Sequence, residues 1–325
     1  MTSRVALVTG LAGQDGGYLA EHLATRGWSV HGLVRVGERL PVELSALGDA
    51  LAVHEGDLAD HDGLTELVAA VQPSAIFNLA GISSVAQSWN EPVLTAQTNA
   101  LPVVVLLQAA LELQERSGRP VALVQASSAE IFSGTETIPQ DELTPLAPRS
   151  PYGAAKAFAH HLVQAYRGRG LHASNAILYN HESPRRPTSF VTRKITATVA
   201  AIAAGQAGEL VLGDLSVRRD WGWAPDYVAA MAAMAAQPRP GDYVIATGTS
   251  HTVEDFVRTA FERVGVTQWR EFVRTDPRLL RVFDAADLVG DSSRARTDLG
   301  WRPTADFADV VGRMVDHDVA LAAAR

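Results

Sequence analysis

The stretch Arg4-Val-Ala-Leu-Val-Thr-Gly-Leu-Ala-Gly-Gln-Asp-Gly16 decides the fold of this 325-residue chain. Its first six residues are mostly apolar and β-prone, and residues 18–24 have the apolar spacing of a helix. Glycines at positions 10, 13 and 16 predict a tight turn whose backbone, with the helix N-terminus, approaches a pyrophosphate. The glycine spacing is tighter than Gly-x-Gly-x-x-Gly. Strand, glycine turn and helix in this order nevertheless predict a dinucleotide-binding unit.

Apolar segments that alternate with helical patterns continue through the first half of the chain. Further strands are predicted at residues 29–34, 51–55, 74–78, 121–125 and 173–178, with a long amphipathic helix from about Val93 to Arg116. Strands that alternate with helices at this rhythm form parallel, doubly wound sheets. We therefore predict an α/β fold of the Rossmann type.

The residue composition changes after residue 179, where the segment Asn180-His-Glu-Ser-Pro-Arg-Arg-Pro187 is polar and contains two prolines. This segment and the arginines beyond it predict a smaller lobe that contributes cations to a cleft. Residues 1–179 are assigned to the cofactor-binding Rossmann domain, which also carries the catalytic residues. Residues 180–325 are assigned mostly to a substrate-binding lobe that interleaves with the first domain.

Composition narrows the classes of protein. With 47% hydrophobic and 20% charged residues the chain is typical of a globular protein, and its net charge of −8 disfavours binding to a nucleic-acid backbone. No apolar run reaches the roughly 18–20 residues of a membrane span, so we expect no membrane partner and a cytoplasmic location. The chain has no cysteine, which excludes disulfides, thiolate metal sites and cysteine nucleophiles.

Several positions are predicted to contact the cofactor. The second strand ends in Arg35 without an acidic residue, and an arginine there suits the 2′-phosphate of NADP better than the free ribose of NAD. Sheet-edge positions and the glycine turn complete the predicted site: Gly10, Gly13, Gln14, Asp15, Gly16, Asp57, Leu58, Leu79 and Ala80. The histidines show no metal-ligand spacing, so no metal is predicted.

The catalytic residues are predicted from the stretch between residues 127 and 156. Tyr152 and Lys156 are four residues apart on a predicted helix, and Ser128 follows a predicted strand. A tyrosine phenol needs a nearby cation before it can act as a base near pH 7. Lys156 supplies that cation, and Ser128 orients the same substrate oxygen. Tyr152 and Lys156 are also expected to contact the nicotinamide. Beside that cofactor, such a trio oxidises an alcohol or reduces a ketone.

Glu130 distinguishes among the reactions that this trio can perform. A dehydratase needs a carboxylate to remove the C5 proton beside a new 4-ketone, whereas a 4-keto reductase does not. A 3,5-epimerase needs a second acid or base, commonly cysteine, which this chain lacks. A redox-silent NADP-binding regulator is the remaining alternative, and such a protein would normally lose Tyr152 or Lys156.

The chain resembles the extended short-chain dehydrogenase/reductases and, within them, the GDP-mannose 4,6-dehydratases. The motifs that carry the resemblance are Thr9–Gly16, Ser150–Gly153, Asn180–Arg186, Phe190–Lys194, Arg219–Gly222 and Asp276–Arg278. The resemblance implies conversion of GDP-D-mannose to GDP-4-dehydro-6-deoxy-D-mannose by a homodimer or homotetramer. It also implies the catalytic set Ser128, Glu130, Tyr152 and Lys156, and substrate contacts from Asn180, Lys194, Arg219 and Arg281, with Ser83 and Glu182 nearby.

The chain departs from the family pattern in two places. The family usually has a second arginine after Arg35 and then a long loop that reaches a neighbouring subunit. In this chain Val36 follows Arg35, and the segment from residue 36 to residue 50 is short. A dimer is therefore an alternative to a tetramer. Ile82-Ser83-Ser84 and Ser133 also replace the usual residues near the sugar, which leaves a different NDP-hexose as an alternative substrate.

Overall fold

A seven-stranded parallel sheet lies at the centre of the computed structural model, which describes residues 4–279 and 287–324. Its strands are β1 (Arg4–Thr9), β2 (Trp28–Val34), β3 (Leu51–Glu55), β4 (Ala75–Asn78), β5 (Ala122–Ser128), β6 (His172–Leu178) and β10 (Asp242–Ile245). Their order across the sheet is β10-β6-β5-β4-β1-β2-β3. The order in which successive strands are added reverses between β1 and β4, which creates the crevice where doubly wound sheets bind ligands. The predicted α/β Rossmann fold is confirmed.

Helices cover both faces of this sheet, as its continuously apolar strands require. Along β1, Ala6 and Val8 face one core and Leu7 faces the other. The helices are α1 (Gln14–Ala24), α2 (His61–Val71), α3 (Val85–Asn90), α4 (Pro92–Asn99), α5 (Leu101–Ser117), α6 (Pro151–Gly168) and α8 (Ala224–Ala235). Helices α1 and α8 pack on the first face, and α2, α5 and α6 pack on the second.

A second lobe has its own apolar core, centred on Trp221, Phe256 and Met314. One small sheet joins β7 (Asn180–Glu182), β9 (Arg218–Trp223) and β11 (Ser250–Thr252), and β8 (Leu210–Leu212) pairs with β12 (Val273–Thr275). The remaining helices are α7 (Val191–Ala203), α9 (Val253–Arg263), α10 (Ser293–Leu299) and α11 (Phe307–Ala323). Because α8 and β10 return to the large sheet, the C-terminal half of the chain contributes to both parts.

The helix predicted from Val93 to Arg116 is wrong in one respect, because the structure breaks it at Ala100 into α4 and α5. Pro102 lies at the start of α5. Its ring has no N–H and would clash with the carbonyl of Thr98, four residues earlier, in a continuous helix. Strand β5 also continues to Ser128, three residues beyond the predicted end. Ser128 therefore lies at the carboxyl end of this central strand.

The stretch Pro92–Ser117 is long and apolar enough to cross a membrane by length and composition, the single such stretch within the described ranges. The expectation that no run reaches this length is therefore wrong. Half of its most apolar window is buried inside the fold, where Val103, Leu106 and Leu107 belong to the core on the α2–α5–α6 face. Core helices of this kind pass the same length and composition test.

Candidate active site

The glycine turn between β1 and α1 depends on close backbone contacts that exclude side chains. Gly10 has a φ of +74°, in the left-handed region that favours glycine. A Cβ added to Gly16 would lie 2.1 Å from the Gly10 carbonyl oxygen, so that position admits only glycine. Thr9 Oγ1 accepts hydrogen bonds from the N–H groups of Leu79 and Ala80, both at 3.1 Å, and joins the turn to the end of β4.

The N-terminus of α1 fits the pyrophosphate of a dinucleotide. Its N-cap residue is Gly13, which offers no side chain to the first-turn N–H groups. Unpaired N–H groups and the positive end of the helix dipole bind phosphate oxygens, and the missing side chains at residues 10, 13 and 16 let a ligand approach the backbone. The predicted cofactor turn therefore has the shape and the donors that a nicotinamide dinucleotide needs.

The residues predicted to contact the adenosine end lie along the same edge. Arg35 follows β2 with its side chain 78% exposed, and it donates to Glu38 Oε1 at 2.9 Å. Asp57 follows β3, and its carboxylate accepts a hydrogen bond from the Ala59 N–H at 2.9 Å. Leu58, Leu79 and Ala80 are half-buried. Arg35 and Asp57 are close enough for the Asp57 charge to raise the pKa of Arg35, after the larger effect of Glu38.

The sequence Ser150-Pro-Tyr-Gly153 positions Tyr152 at the start of α6. Ser150 caps the helix by accepting a 3.0 Å hydrogen bond from the Gly153 N–H, and Pro151 occupies the first turn, where its missing N–H costs nothing. A Cβ on Gly153 would lie 2.7 Å from the Glu130 carbonyl oxygen. Glycine at this position therefore lets the first turn of α6 pack directly against the turn that carries Glu130.

Ser128, Tyr152 and Lys156 come together as the sequence predicts. Lys156 Nζ donates to the Ala126 carbonyl oxygen at 2.8 Å and lies 5.8 Å from the centre of the Tyr152 ring. Burial raises the pKa of Tyr152 to about 12, although its hydrogen bond with Ser128 acts in the opposite direction. Burial lowers the pKa of Lys156 to about 8, so the ammonium form still predominates at pH 7.

Glu130 belongs to the same pocket. It lies two residues after Ser128, in the short 3₁₀ turn Ala129–Phe132, and its N–H donates to Ser128 Oγ at 3.2 Å. Its side chain is half-buried, and its charge raises the pKa of Tyr152. A carboxylate, a phenol and a hydroxyl therefore face one region at the carboxyl end of the sheet.

The residues predicted to hold the substrate are distributed over the second lobe. Asn180 begins β7 and pairs with Trp221 of β9, and the mostly buried Arg219 lies on the same strand. Lys194 is half-buried in the first turns of α7, and Ser83 is exposed beyond β4. The structure brings β7 and β9 side by side, with Asn180 opposite Trp221. Arg281 lies outside the described residues.

Glu182 is buried and its carboxylate binds two protein side chains. Arg186 Nε donates to Glu182 Oε2 at 3.0 Å, and Thr192 Oγ1 donates to the same oxygen at 2.6 Å. Arg186 in turn lies close enough to Tyr152 to lower its pKa. The connection from Glu182 to Tyr152 therefore passes through Arg186, a residue that the sequence interpretation did not single out.

The contacts of Gln14 and Asp15 were also not foreseen. Gln14 Oε1 accepts a hydrogen bond from Ser183 Oγ at 2.7 Å, and Asp15 Oδ2 lies 2.8 Å from His181 Nε2. Arg185 adds an ion pair to Glu21 at 2.7 Å. The signal available in the sequence was charge complementarity, because acidic residues 15 and 21 face basic residues 181 and 185.

Within residues 4–279 and 287–324, no group of three or more histidine and carboxylate side chains could hold a metal ion. The histidines that the structure describes have other environments. His160 is buried between Ser127, Gln164 and Asp242, and burial lowers its pKa to about 4. His31 and His54 stack on adjacent strands, with their ring centres 5.2 Å apart.

Known proteins match this chain over nearly its full length. The sequence model of a family described as GDP-mannose 4,6 dehydratase matches residues 7–314. GDP-mannose 4,6 dehydratase 1 of Arabidopsis thaliana is 43% identical over 329 residues, which cover 98% of this chain and 91% of the relative. GDP-mannose 4,6-dehydratase of Sinorhizobium fredii (strain HH103) is 41% identical over 348 residues and is 98% covered. The solved UDP-glucose 4-epimerase of Thermus thermophilus, in complex with NAD, is 26% identical with a TM-score of 0.82, covering 97% of this chain and 98% of its own.

The fold and the Ser128–Tyr152–Lys156 arrangement define an enzyme of the extended short-chain dehydrogenase/reductase class. The chain belongs to the GDP-mannose 4,6 dehydratase family.

Proposed function

We propose that the protein converts GDP-D-mannose to GDP-4-dehydro-6-deoxy-D-mannose with NADP as its recycled cofactor. The observation that carries the proposal is Glu130 in one pocket with Ser128, Tyr152 and Lys156. The glycine turn would hold the pyrophosphate, and Arg35 would bind the 2′-phosphate. When bound, the nicotinamide would supply reversible hydride transfer, with oxidation at C4 and reduction at C6 of the sugar.

Tyr152 acts first, as the base that takes the O4 proton. Its phenol is buried and mostly protonated in isolation, so ionisation depends on the Lys156 ammonium and on the hydrogen bond with Ser128. Lys156 stays in place because its Nζ is anchored on the Ala126 carbonyl. Ser128 contacts the same substrate oxygen and keeps it within reach of Tyr152.

Glu130 acts next, once C4 is a ketone and the C5 proton is acidic. Its carboxylate removes the C5 proton and delivers a proton to the C6 hydroxyl, which leaves as water while a C5–C6 double bond forms. The proton that Tyr152 took from O4 balances the one that C5 regains when C6 is reduced. The reaction therefore releases one water and leaves the cofactor in its starting redox state.

The second lobe holds the nucleotide part of the substrate in this proposal. Asn180, Lys194 and Arg219, together with Arg281, would bind the diphosphate, which needs cations that a chain of net charge −8 does not offer generally. Ser83 would lie beside the sugar. Glu182 would contribute through Arg186, because its carboxylate already binds that guanidinium.

We include a homodimer or homotetramer and a cytoplasmic location in the proposal. Leu94, Leu101 and Phe158 are each more than 40% exposed and lie on α4, α5 and α6, helices that pack against one another. An exposed apolar surface of this kind is typical of a subunit interface. Light scattering of the Phe158→Glu variant tests it, since a smaller particle than the unsubstituted protein is expected.

The activity is tested by incubating the purified protein with GDP-mannose and NADP and measuring product mass. Loss of one water without net consumption of NADPH is expected. Glu130→Gln should slow water elimination by about 10²- to 10⁴-fold while still allowing C4 oxidation, seen as accumulated reduced nicotinamide. Glu136→Gln, at an exposed position six residues later, is the matched control and should behave like the unsubstituted enzyme.

Three outcomes would contradict all or part of this assignment. Normal dehydration by Glu130→Gln would remove Glu130 from the mechanism. Absence of turnover with GDP-mannose, combined with NADPH-dependent reduction of the 4-keto sugar, would support the reductase alternative. Dehydration of another NDP-hexose in preference to GDP-mannose would keep the mechanism and change the substrate.

A further inference from the structure

His181 and Asp15 form a close, mostly buried pair at the centre of the site. His181 Nε2 lies 2.8 Å from Asp15 Oδ2, and the two side chains are 9% and 20% exposed. The other ring nitrogen, Nδ1, lies 2.7 Å from the Tyr179 carbonyl oxygen. The imidazole also stacks on the Tyr227 ring, with ring centres 4.5 Å apart, so its orientation is fixed from three directions.

The partners of both ring nitrogens decide the charge of His181. A carbonyl oxygen can only accept, so Nδ1 must carry a proton. Burial raises the pKa of Asp15, but the charge and hydrogen bond of His181, with help from Arg186 and Gln14, bring this pKa below its usual value. An ionised Asp15 can only accept, so Nε2 must carry a proton as well. The contacts of both ring nitrogens thus fit a carboxylate–imidazolium pair without net charge.

Asp15 is the group through which this pair reaches the catalytic residues. Its carboxylate raises the pKa of both Tyr152 and Lys156. Burial is the largest influence on the pKa of Tyr152, and the Asp15 carboxylate adds to it in the same direction, toward the protonated phenol. The His181 ring lies 2.8 Å from the carboxylate, so a positive charge on the ring opposes the charge of Asp15.

Other groups also face Tyr152, and they set the background for any pH effect. Ser128 hydrogen-bonds the phenol, the Glu130 carboxylate raises its pKa, and Arg186 lowers it. The Lys156 ammonium lies 5.8 Å from the ring centre. Among these, the Asp15–His181 pair has one partner on the cofactor side and one on the substrate side.

The pair also belongs to a mechanical connection between α1 and β7. Gln14 Nε2 donates to the His181 carbonyl oxygen at 3.1 Å, and Ser183 Oγ donates to Gln14 Oε1 at 2.7 Å. The Arg185 guanidinium lies 4.0 Å from the centre of the Tyr18 ring. The segment that bears Asn180 is thus fastened to the turn that would hold the cofactor.

We propose that Asp15 and His181 are positioning residues that, as a neutral carboxylate–imidazolium pair, prevent the Asp15 charge from suppressing Tyr152 ionisation and fix β7 against the cofactor turn. The inference rests on the proposed function, in which Tyr152 takes the O4 proton. It adds that the Asp15 and His181 charges must balance, a requirement that packing alone would not impose.

The test is the pH dependence of kcat/KM for four proteins: the unsubstituted enzyme, His181→Gln, Asp15→Asn and the double variant. The rate rises with pH as Tyr152 ionises. His181→Gln leaves an unbalanced carboxylate, so its rising limb should move upward by at least about half a pH unit. Asp15→Asn should not move it upward. The double variant restores a neutral pair, so its limb should return to within about 0.2 units of the unsubstituted enzyme.

His61→Gln, at an exposed position on α2, is the matched histidine control and should leave the limb unchanged. Superimposable limbs in all four proteins would overturn the proposal. A double variant whose limb stays with that of His181→Gln would overturn it too, because a purely structural role predicts losses of rate without this reversal. Circular dichroism of each variant identifies any that fails to fold.

A second measurement uses the unsubstituted protein without substrate. It therefore does not depend on whether the Asp15 and His181 variants fold. In ¹⁵N-histidine NMR at pH 7.5, the His181 resonance should show two protonated ring nitrogens in the unsubstituted protein. Its signals are assigned by their loss in His181→Gln or, if that variant does not fold, by their contact with the Tyr227 ring. A neutral His181 would overturn the charge assignment. Absence of dehydratase activity with an imidazolium His181 would instead count against the proposed function.

Discussion

Helix α6 and the junction between α1 and β7 both line the candidate active site, but the residues that lie together are spaced very differently along the chain in each. On α6, Tyr152, Lys156, His160 and Gln164 follow one another at intervals of four residues. At the junction, Asp15 and His181 are 166 residues apart. The first arrangement follows from helix geometry, since positions i and i+4 share a face. The second exists only after the whole sheet has formed.

The difference extends to how each region is held. Lys156 Nζ donates to the Ala126 carbonyl oxygen, and His160 Nδ1 lies 3.5 Å from Ser127 Oγ. Successive turns of α6 therefore contact successive residues of the adjacent strand β5. The junction has no such periodic support, and each of its side chains has a partner from a distant segment. We expect substitutions on α6 to change chemistry first, and substitutions in the long-range network to change stability and position first.

Tyr152→Phe should have the largest effect and is the strictest test of the local region. Loss of the phenol oxygen removes the proposed base, so kcat should fall by about 10³- to 10⁴-fold while the thermal midpoint changes little. Stopped-flow absorbance of reduced nicotinamide under single-turnover conditions measures the oxidation step directly. Tyr166→Phe is the control on the same helix, because its hydroxyl donates to Gln108 Oε1 at 3.0 Å and Tyr166 is 14 residues beyond Tyr152. Equal losses in both variants would show that any tyrosine on α6 matters for folding only.

The sequence predicted what short-range patterns determine. Six of the central strands were predicted from apolar runs, and the spacing of Tyr152 and Lys156 predicted that they share one helix. The break at Ala100 was missed because the amphipathic pattern continues across it, although Pro102 was a visible cause. Gln14 and Asp15 were predicted as cofactor contacts from their place in the turn. Their pairing with Ser183 and His181 depends on tertiary structure, which spacing does not reveal.

A second prediction tests the long-range region through two acidic residues on α11. Asp318 is 4% exposed and accepts from Arg193, whose guanidinium also donates to the Pro184 and Arg186 carbonyl oxygens. Asp318→Asn leaves a buried guanidinium without its counter-charge, so the free energy of unfolding should fall by about 3 to 5 kcal/mol. Urea denaturation measures this change.

Asp316→Asn provides the matched control two residues earlier. Asp316 pairs with Arg263 at 2.6 Å, but both side chains are more than half exposed, and such pairs contribute about 0 to 1 kcal/mol. Because Arg193 holds the segment that bears Arg186, Asp318→Asn should also raise KM for the nucleotide sugar more than it lowers kcat. Equal destabilisation by the two substitutions would mean that the buried pair does not anchor the second lobe.

The smallest expected effect is that of replacing Arg35. The sequence alone identified this residue, but its proposed function depends on a cofactor and not on a partner within the chain. The side chain is 78% exposed and is paired with Glu38, so a 2′-phosphate would gain a screened contact of modest strength. Arg35→Ala should raise KM for NADP about fivefold to tenfold at low ionic strength and leave KM for NAD unchanged, with a smaller difference at high salt. Arg39→Ala, at an exposed position four residues later, should change neither value. Steady-state measurements with both cofactors decide the matter: a parallel rise in both KM values would place Arg35 against the part that NADP and NAD share.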